Sequence, residues 1–95
     1  MLGSNGKCLI CDVLGKRSTG RLERHHIFNG ALRSKSERYG LVVMLCHEHH
    51  NEPPYGVHFN RKNRMALCRM AQKWAMEEYG WTIEDFRKHF YKNYL

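Results

Sequence analysis

The sequence predicts a single α+β domain, in which two short strands lie among paired cysteines and histidines and helices follow them. Three observations lead to this prediction. The chain has 95 residues, which fits one domain. Short apolar runs bounded by turn sequences occupy its first half, whereas a helical periodicity of apolar residues occupies its second half. Cysteine and histidine pairs at two-residue spacing flank the strand region, and so short a chain would gain stability from a structural metal.

Two strands are predicted in the first half of the chain. Leu22–Phe28 is expected to form the first strand, which ends at the turn sequence Asn29-Gly30. A basic loop is expected over residues 33–38. The run Leu41–Leu45 is apolar and partly β-branched, so it indicates a buried second strand.

The segments around the strands are predicted to be turns or short helices. Met1–Lys7 is rich in glycine, serine and asparagine and is expected to be a loose lead-in. Asp12–Gly20 is polar and is expected to form a turn. Cys46–Asn51 is expected to begin a helix or a tight turn. Pro53-Pro54 interrupts it, because Pro54 has no amide hydrogen to continue a helix.

The second half is predicted to be helical. Asn60 is a favourable N-cap, and Gly80 suits the position after the helix end. Residues 82–85 (Thr-Ile-Glu-Asp) resemble a capping box that opens a second helix. The apolar stripe of the first helix is expected to pack in the core rather than to form a binding groove; it consists of Leu67, Met70, Ala71, Trp74 and Ala75.

Charge and composition favour a cytosolic protein with a polyanionic partner. The net charge of +7 is typical of a chain that binds nucleic acid. No apolar run approaches the roughly 20 residues needed to span a bilayer, so no membrane partner is expected. Residues 1–7 lack the apolar segment of a secretory signal. In a reducing compartment, cysteines more often bind metal or stay free than form disulfides.

Two ligand pairs indicate a structural zinc site. The first is Cys8-x-x-Cys11 and the second is Cys46-x-x-His49. Tetrahedral Zn²⁺ takes three cysteines and one histidine readily, and a two-residue gap lets one turn present both ligands of a pair. The sequence therefore predicts zinc bound by Cys8, Cys11, Cys46 and His49.

Alternatives to this ligand set exist. The cysteines can instead be free thiols, and His47 competes with His49 as the fourth ligand. We favour His49, because adjacent ligands on one turn have poor geometry. Cys68 falls in the helical stripe without a partner at ligand spacing, so it is expected to be a core residue.

Four further histidines have the chemistry of a hydrolytic site. Hydrolysis of a phosphodiester requires an activated water, neutralised phosphate charge and a stabilised leaving oxygen. A metal bound by three histidines supplies the last two, and a fourth, unligated histidine can be the general base. His25 and His26 point to opposite faces of a strand, so one can be a ligand and the other the base. His50 and His58 can complete the metal site.

In these residues the sequence resembles the zinc-containing branch of the HNH (ββα-metal) endonucleases, and more narrowly the small HNH proteins encoded by bacteriophages. The resemblance covers residues 8–60. It rests on Cys-x-x-Cys at 8–11, His-His-Ile-Phe at 25–28, Tyr-Gly-Leu at 39–41, Leu-Cys at 45–46 with His-His at 49–50, and Gly-Val-His-Phe-Asn at 56–60.

The resemblance implies a role for each histidine. A ββα-metal core over residues 8–60 would be followed by a helical extension over residues 61–95, within one nuclease domain. His25, His50 and His58 would be the ligands of a catalytic Mg²⁺, Mn²⁺, Ni²⁺ or Zn²⁺. His26 would be the general base that deprotonates the attacking water. The resemblance also implies a phage-encoded protein in the cytoplasm of a bacterial host, with phage or recombination proteins as candidate partners.

One departure from the family pattern concerns the residue that orients the base. The family has an asparagine before the second strand, but residues 37–41 read Glu-Arg-Tyr-Gly-Leu here. Glu37 or a backbone carbonyl is expected to take its place, and Asn29, Asn51 and Asn60 are further candidates. A histidine base without an orienting partner is expected to be a poorer base.

The leading hypothesis is a metal-dependent DNA endonuclease with weak sequence preference. Basic residues of the first half are expected to contact phosphates rather than bases; they are Arg21, Arg24, Arg33, Lys35 and Arg38. A non-catalytic, zinc-stabilised DNA-binding module is the first alternative, which the missing asparagine favours. A zinc-containing protein-interaction domain is the second. The four additional histidines favour the nuclease, because a binding module has no need of them.

Overall fold

Two antiparallel strands, β1 (Leu22–His26) and β2 (Val42–Cys46), form the sheet in a computed structural model that describes residue 2 and residues 6–17 and 20–95. His26 pairs with Val42, and the register continues without a bulge to the other end of the sheet. The first strand ends two residues before its predicted end at Phe28. It ends there because the Phe28 amide donates to the Ser36 hydroxyl at 3.2 Å and not to β2.

Five helices accompany the sheet in the described part of the chain, so the α+β prediction is confirmed at that level. Three of them are short and the two longest follow the sheet. They are α1 (Leu9–Val13), α2 (Arg33–Arg38), α3 (His47–Asn51), α4 (Arg61–Tyr79) and α5 (Ile83–Phe90).

The prediction of a basic loop over residues 33–38 was wrong, because these residues form helix α2. A 3₁₀ turn over Gly30–Leu32 leads into it. Ser36 is the one buried residue of the helix, so the sequence has no apolar stripe that would indicate a helix there. The predicted lead-in at residues 1–7 and the predicted turn at residues 12–20 lie partly outside the described residues, and Asp12 belongs to α1.

The caps predicted for the C-terminal helices are confirmed. The Asn60 side chain accepts a hydrogen bond from the Asn63 amide at 2.9 Å and begins α4. Gly80 ends that helix with a φ of 65°, a left-handed conformation that glycine adopts without a steric penalty. Thr82 and Asp85 form the capping box of α5, in which each side chain accepts from the other residue's amide.

The core lies between the sheet and the C-terminal helices. Phe28 is at its centre, with ring centroids 4.7 Å from Phe90, 5.8 Å from Phe86 and 5.4 Å from Tyr94. The apolar stripe of α4 faces the same core, as predicted, and its Ala71 is fully buried. Aromatic packing therefore joins the C-terminal helices to the end of β1.

Ser36 fixes the turn between the two strands. Its hydroxyl is fully buried, accepts from the Phe28 amide and donates to the Leu41 carbonyl at 2.6 Å. One side chain of α2 thus links the end of β1 to the start of β2.

We expect Ser36→Ala to lower the free energy of unfolding by about 1–3 kcal/mol, because it leaves the buried Phe28 amide without its acceptor. Urea denaturation measures this loss. Ser34→Ala is the matched control, since Ser34 is an exposed serine of the same helix. Equal effects of the two substitutions would show that the link contributes nothing to stability.

Candidate metal centres

A buried cluster joins the N-terminal segment to the sheet. It consists of Cys8, Cys11, Cys46 and His49, whose ligand atoms all lie within 4.8 Å of one another. His49 Nδ1 lies 3.6 Å from the Cys8 sulfur and 3.3 Å from each of the other two sulfurs. His47, the alternative fourth ligand, lies outside the cluster, where its Nδ1 is 3.1 Å from a Glu23 oxygen. The four residues form a Cys₃His cluster that is able to hold a structural metal ion such as zinc.

Short local structures present each ligand pair. Cys8 is the N-cap of α1, and its sulfur accepts a hydrogen bond from the Cys11 amide at 3.5 Å. Cys46 is the last residue of β2 and the N-cap of α3, so His49 follows one helical turn later. Each two-residue gap therefore spans one turn, as the sequence predicts.

The spacing of the donors fits a tetrahedral ion. Zinc–sulfur bonds of about 2.3 Å at tetrahedral angles place two sulfurs about 3.8 Å apart. The Cys11 and Cys46 sulfurs are 3.8 Å apart. Burial and the neighbouring sulfurs of Cys8 and Cys46 raise the pKa of Cys11 to about 12. A bound cation lowers this pKa, because it stabilises the thiolate forms of the cysteines, which otherwise repel one another.

A second cluster contains histidines alone. The ring nitrogens of His25, His50 and His58 also lie within 4.8 Å of one another. The Nε2 atoms of His50 and His58 are 3.0 Å apart, and cis ligands at about 2.1 Å from one metal have that separation. The structure thus brings together the three histidines that the resemblance assigns to one metal.

His25 is the buried member of the histidine cluster. It is 3% exposed, and its Nε2 is the one buried side-chain nitrogen or oxygen atom in the described ranges that has no hydrogen-bond partner. Burial, with the charges of His50, His58 and His26, lowers the pKa of His25 to about 4. The ring is therefore neutral at pH 7, and an orphaned nitrogen beside two other histidines fits a metal ligand.

Glu23 orients His50. Its carboxylate lies 2.8 Å from His50 Nδ1 and also contacts His47 and Asn51. Hydrogen bonds from His50 and His47 lower the pKa of Glu23, so it is an ionised acceptor at pH 7. In the His50 tautomer that donates from Nδ1 to Glu23, the lone pair is on Nε2, which lies 3.0 Å from His58 Nε2. Carboxylates fix metal-binding histidines in this way.

Glu23 was not among the site residues predicted from the sequence, although the chain contains a signal for it. Residues two apart on a strand face the same side, so Glu23 and His25 lie on one face of β1. An acidic residue two positions from a candidate metal ligand on a strand is therefore a candidate hydrogen-bond partner for another ligand of the same metal.

A tight turn returns the chain so that His58 meets His50. A Cβ atom on Gly56 would lie 2.7 Å from both the amide nitrogen and the carbonyl oxygen of Glu52, so only glycine fits. The Val57 amide then donates to the His49 carbonyl at 2.8 Å. This hydrogen bond places His58, the next residue, beside His50.

His26 lies next to the histidine cluster and is held by Glu37. His26 Nε2 is 2.6 Å from one Glu37 oxygen, and Arg24 donates to the other at 2.6 Å. Hydrogen bonds from Arg24 and His26 lower the pKa of Glu37, which is thus an acceptor at pH 7. In the His26 tautomer that donates from Nε2 to Glu37, the lone pair is on Nδ1. Glu37, one of the candidate partners predicted for His26, thus contacts its ring.

An open cleft of about 320 Å³ contains both the histidine cluster and His26. Its lining includes all four histidines together with Asn29, Arg24 and Arg33. The other three basic residues predicted to contact phosphates do not line it. Arg21 and Arg38 are exposed elsewhere, and the Lys35 amino group donates to the His89 carbonyl at 3.0 Å.

The chain matches no protein-family model, and no significant match to it was found among curated proteins or solved structures. Within the described ranges, none of the helices combines the length and the apolar character required to cross a membrane.

We expect Cys11→Ser to lose the metal of the Cys₃His cluster and to melt at a lower temperature, because one of four donors is weakened. Elemental analysis of the dialysed protein and circular dichroism measure the two effects. Cys68→Ala is the control, since Cys68 is buried but lies outside the cluster. A Cys11→Ser protein that keeps its full metal content would contradict the ligand set.

We expect Glu23→Gln to weaken divalent-metal binding at the histidine cluster by about 10–100-fold, because His50 loses its charged acceptor. Calorimetric titration of Mn²⁺ or Ni²⁺ into protein that retains its Cys₃His metal measures this. Glu77→Gln is the control, as Glu77 is exposed on α4. Unchanged affinity in Glu23→Gln would show that Glu23 does not act through the metal ligands.

Proposed function

We propose that this protein is a metal-dependent endonuclease of the HNH type, which hydrolyses phosphodiester bonds in DNA. One observation carries the proposal: three histidine nitrogens converge in a cleft beside a fourth histidine that is held by a carboxylate. The chain order β1, β2, α3 supports it, because the histidines lie at the end of β1 and in α3, as in a ββα-metal core.

The two metal centres have different roles in this proposal. The Cys₃His cluster holds a structural Zn²⁺, which all four buried donors suit. His25, His50 and His58 hold a catalytic divalent ion. When bound, that ion supplies positive charge to the scissile phosphate and to the leaving 3′-oxygen.

His26 is the general base of the proposed reaction. With its Nε2 proton directed at Glu37, its Nδ1 accepts the proton of a water molecule in the cleft. Glu37 holds the ring orientation and stabilises the imidazolium that forms. Arg24 in turn fixes the Glu37 carboxylate through two hydrogen bonds.

The cations of the cleft position the nucleic acid. Arg33 is exposed and lines the cleft with the histidines, so it can contact the phosphate that approaches His25. Contacts of this kind fix position without reading sequence. The net charge of +7 strengthens the attraction to DNA at low salt.

We expect the zinc-loaded protein to nick supercoiled plasmid with Mg²⁺, Mn²⁺ or Ni²⁺, and His26→Ala to nick at least about 100-fold more slowly, because it lacks the base. Gel electrophoresis of the plasmid measures both rates. His89→Gln is the control, because the His89 ring stacks on Trp81 and not in the cleft.

Two outcomes would count against the nuclease. A wild-type protein that is inert with every metal but still binds DNA would favour the non-catalytic binding module. Equal rates for wild type and His26→Ala would remove His26 from the mechanism. Melting temperatures of all the variants separate these outcomes from a loss of folding.

A further inference from the structure

A second cavity lies between the end of β1, helix α4 and the C-terminal segment. Its volume of about 370 Å³ is in the range of small-ligand sites. Arg61, Arg64 and Lys92 line it, and no carboxylate side chain is among its lining residues. None of these three cations forms an ion pair with a described acidic side chain, since the ion pairs of the described ranges involve other residues. Unpaired cations in a concave site favour an anion as its ligand.

The cavity adjoins the histidine cleft. Asn29 lines both. Arg64 also reaches the Val57 carbonyl at 3.5 Å, one residue before His58. A strand whose phosphate lies at the histidines can therefore continue into this cavity without leaving the surface.

The wall of the cavity is aromatic and well supported. Tyr94 lines it, and the Lys92 amino group lies 5.4 Å from the centre of that ring. Gln72 is fully buried in α4 and holds the segment in place, because it accepts from the Tyr94 amide at 2.7 Å and donates to Asn93 at 2.8 Å. A cation and a ring thus share one fixed wall.

We propose that this cavity binds one unpaired nucleotide of the strand whose scissile phosphate lies at the histidine cleft. The inference rests on the proposed nuclease function. Arg61, Arg64 and Lys92 take the phosphates that flank this nucleotide, and its base packs against Tyr94. Cations combined with an aromatic ring are the usual means of binding single strands. A base within a duplex has both faces stacked, so the cavity selects a frayed, looped or single-stranded nucleotide.

The test measures binding without cleavage, so it stays informative if the nuclease proposal fails. A fluorescein-labelled thymidine oligonucleotide is titrated with the zinc-loaded full chain, without added divalent metal, at several salt concentrations. The cavity variant combines Arg61→Gln, Arg64→Gln and Lys92→Gln. The control variant removes the same charge from exposed helical positions through Arg69→Gln, Lys73→Gln and Lys88→Gln.

We expect the cavity variant to bind the oligonucleotide about tenfold or more weakly at low salt. The slope of log affinity against log salt should fall by about 1.4, because each of the two flanking phosphates contributes about 0.7 on a single strand. The control variant should keep nearly the wild-type affinity and slope. Equal losses in the two variants, or none in the cavity variant, would overturn the proposal.

Two further measurements test the unpaired nucleotide itself. With a duplex of the same length, the two variants should bind alike, and a loss confined to the cavity variant there would overturn selection for an unpaired nucleotide. Tyr94→Phe should keep single-strand affinity while Tyr94→Leu lowers it. Equal affinities in these two folded variants would show that the base does not stack on Tyr94. Melting temperatures identify any variant that fails to fold.

Discussion

The convergence of Cys8, Cys11, Cys46 and His49 is the constraint on which the rest of this structure depends. Helices α1 and α3 have five residues each, far fewer than the roughly 12–15 at which an isolated helix becomes stable. The cluster joins these helices to the sheet, because its ligands lie at the start of α1, at the end of β2 and in α3. A metal ion bound there would replace the apolar contacts that such short elements lack.

The same cluster sets the position of the histidine cleft. His49 and His50 are neighbours in α3, and successive residues of a helix point about 100° apart. One side chain therefore faces the sulfurs while the next faces His25 and His58. Glu23 fixes the second of these directions from β1. The proposed chemistry thus depends on a helix that one cluster holds in place and one carboxylate orients.

Much of this arrangement was predictable because it follows local rules. The ligand spacing at Cys8 and Cys46, the cap at Asn60 and the alternation of His25 and His26 each involve a few consecutive residues. Helix α2 was not predictable, since its buried side chain is the hydrogen-bonded Ser36 and it has no apolar stripe. The contacts of Glu23 with His50 and of Glu37 with His26 depend on strand register and tertiary packing. Sequence alone offered Glu37 only as one of several candidates.

The adjacency of His49 and His50 has a consequence for how metal dependence is established. A chelator strong enough to empty the Cys₃His cluster would also release α3. The three histidines of the cleft would then separate, whichever metal ion they prefer. Loss of the proposed activity on treatment with such a chelator would not distinguish the two centres. The informative experiment adds metal ions back to the metal-free protein. One equivalent of thiophilic zinc is added first to rebuild the helix. A hard ion such as Mg²⁺, which sulfur ligands do not retain, is added second.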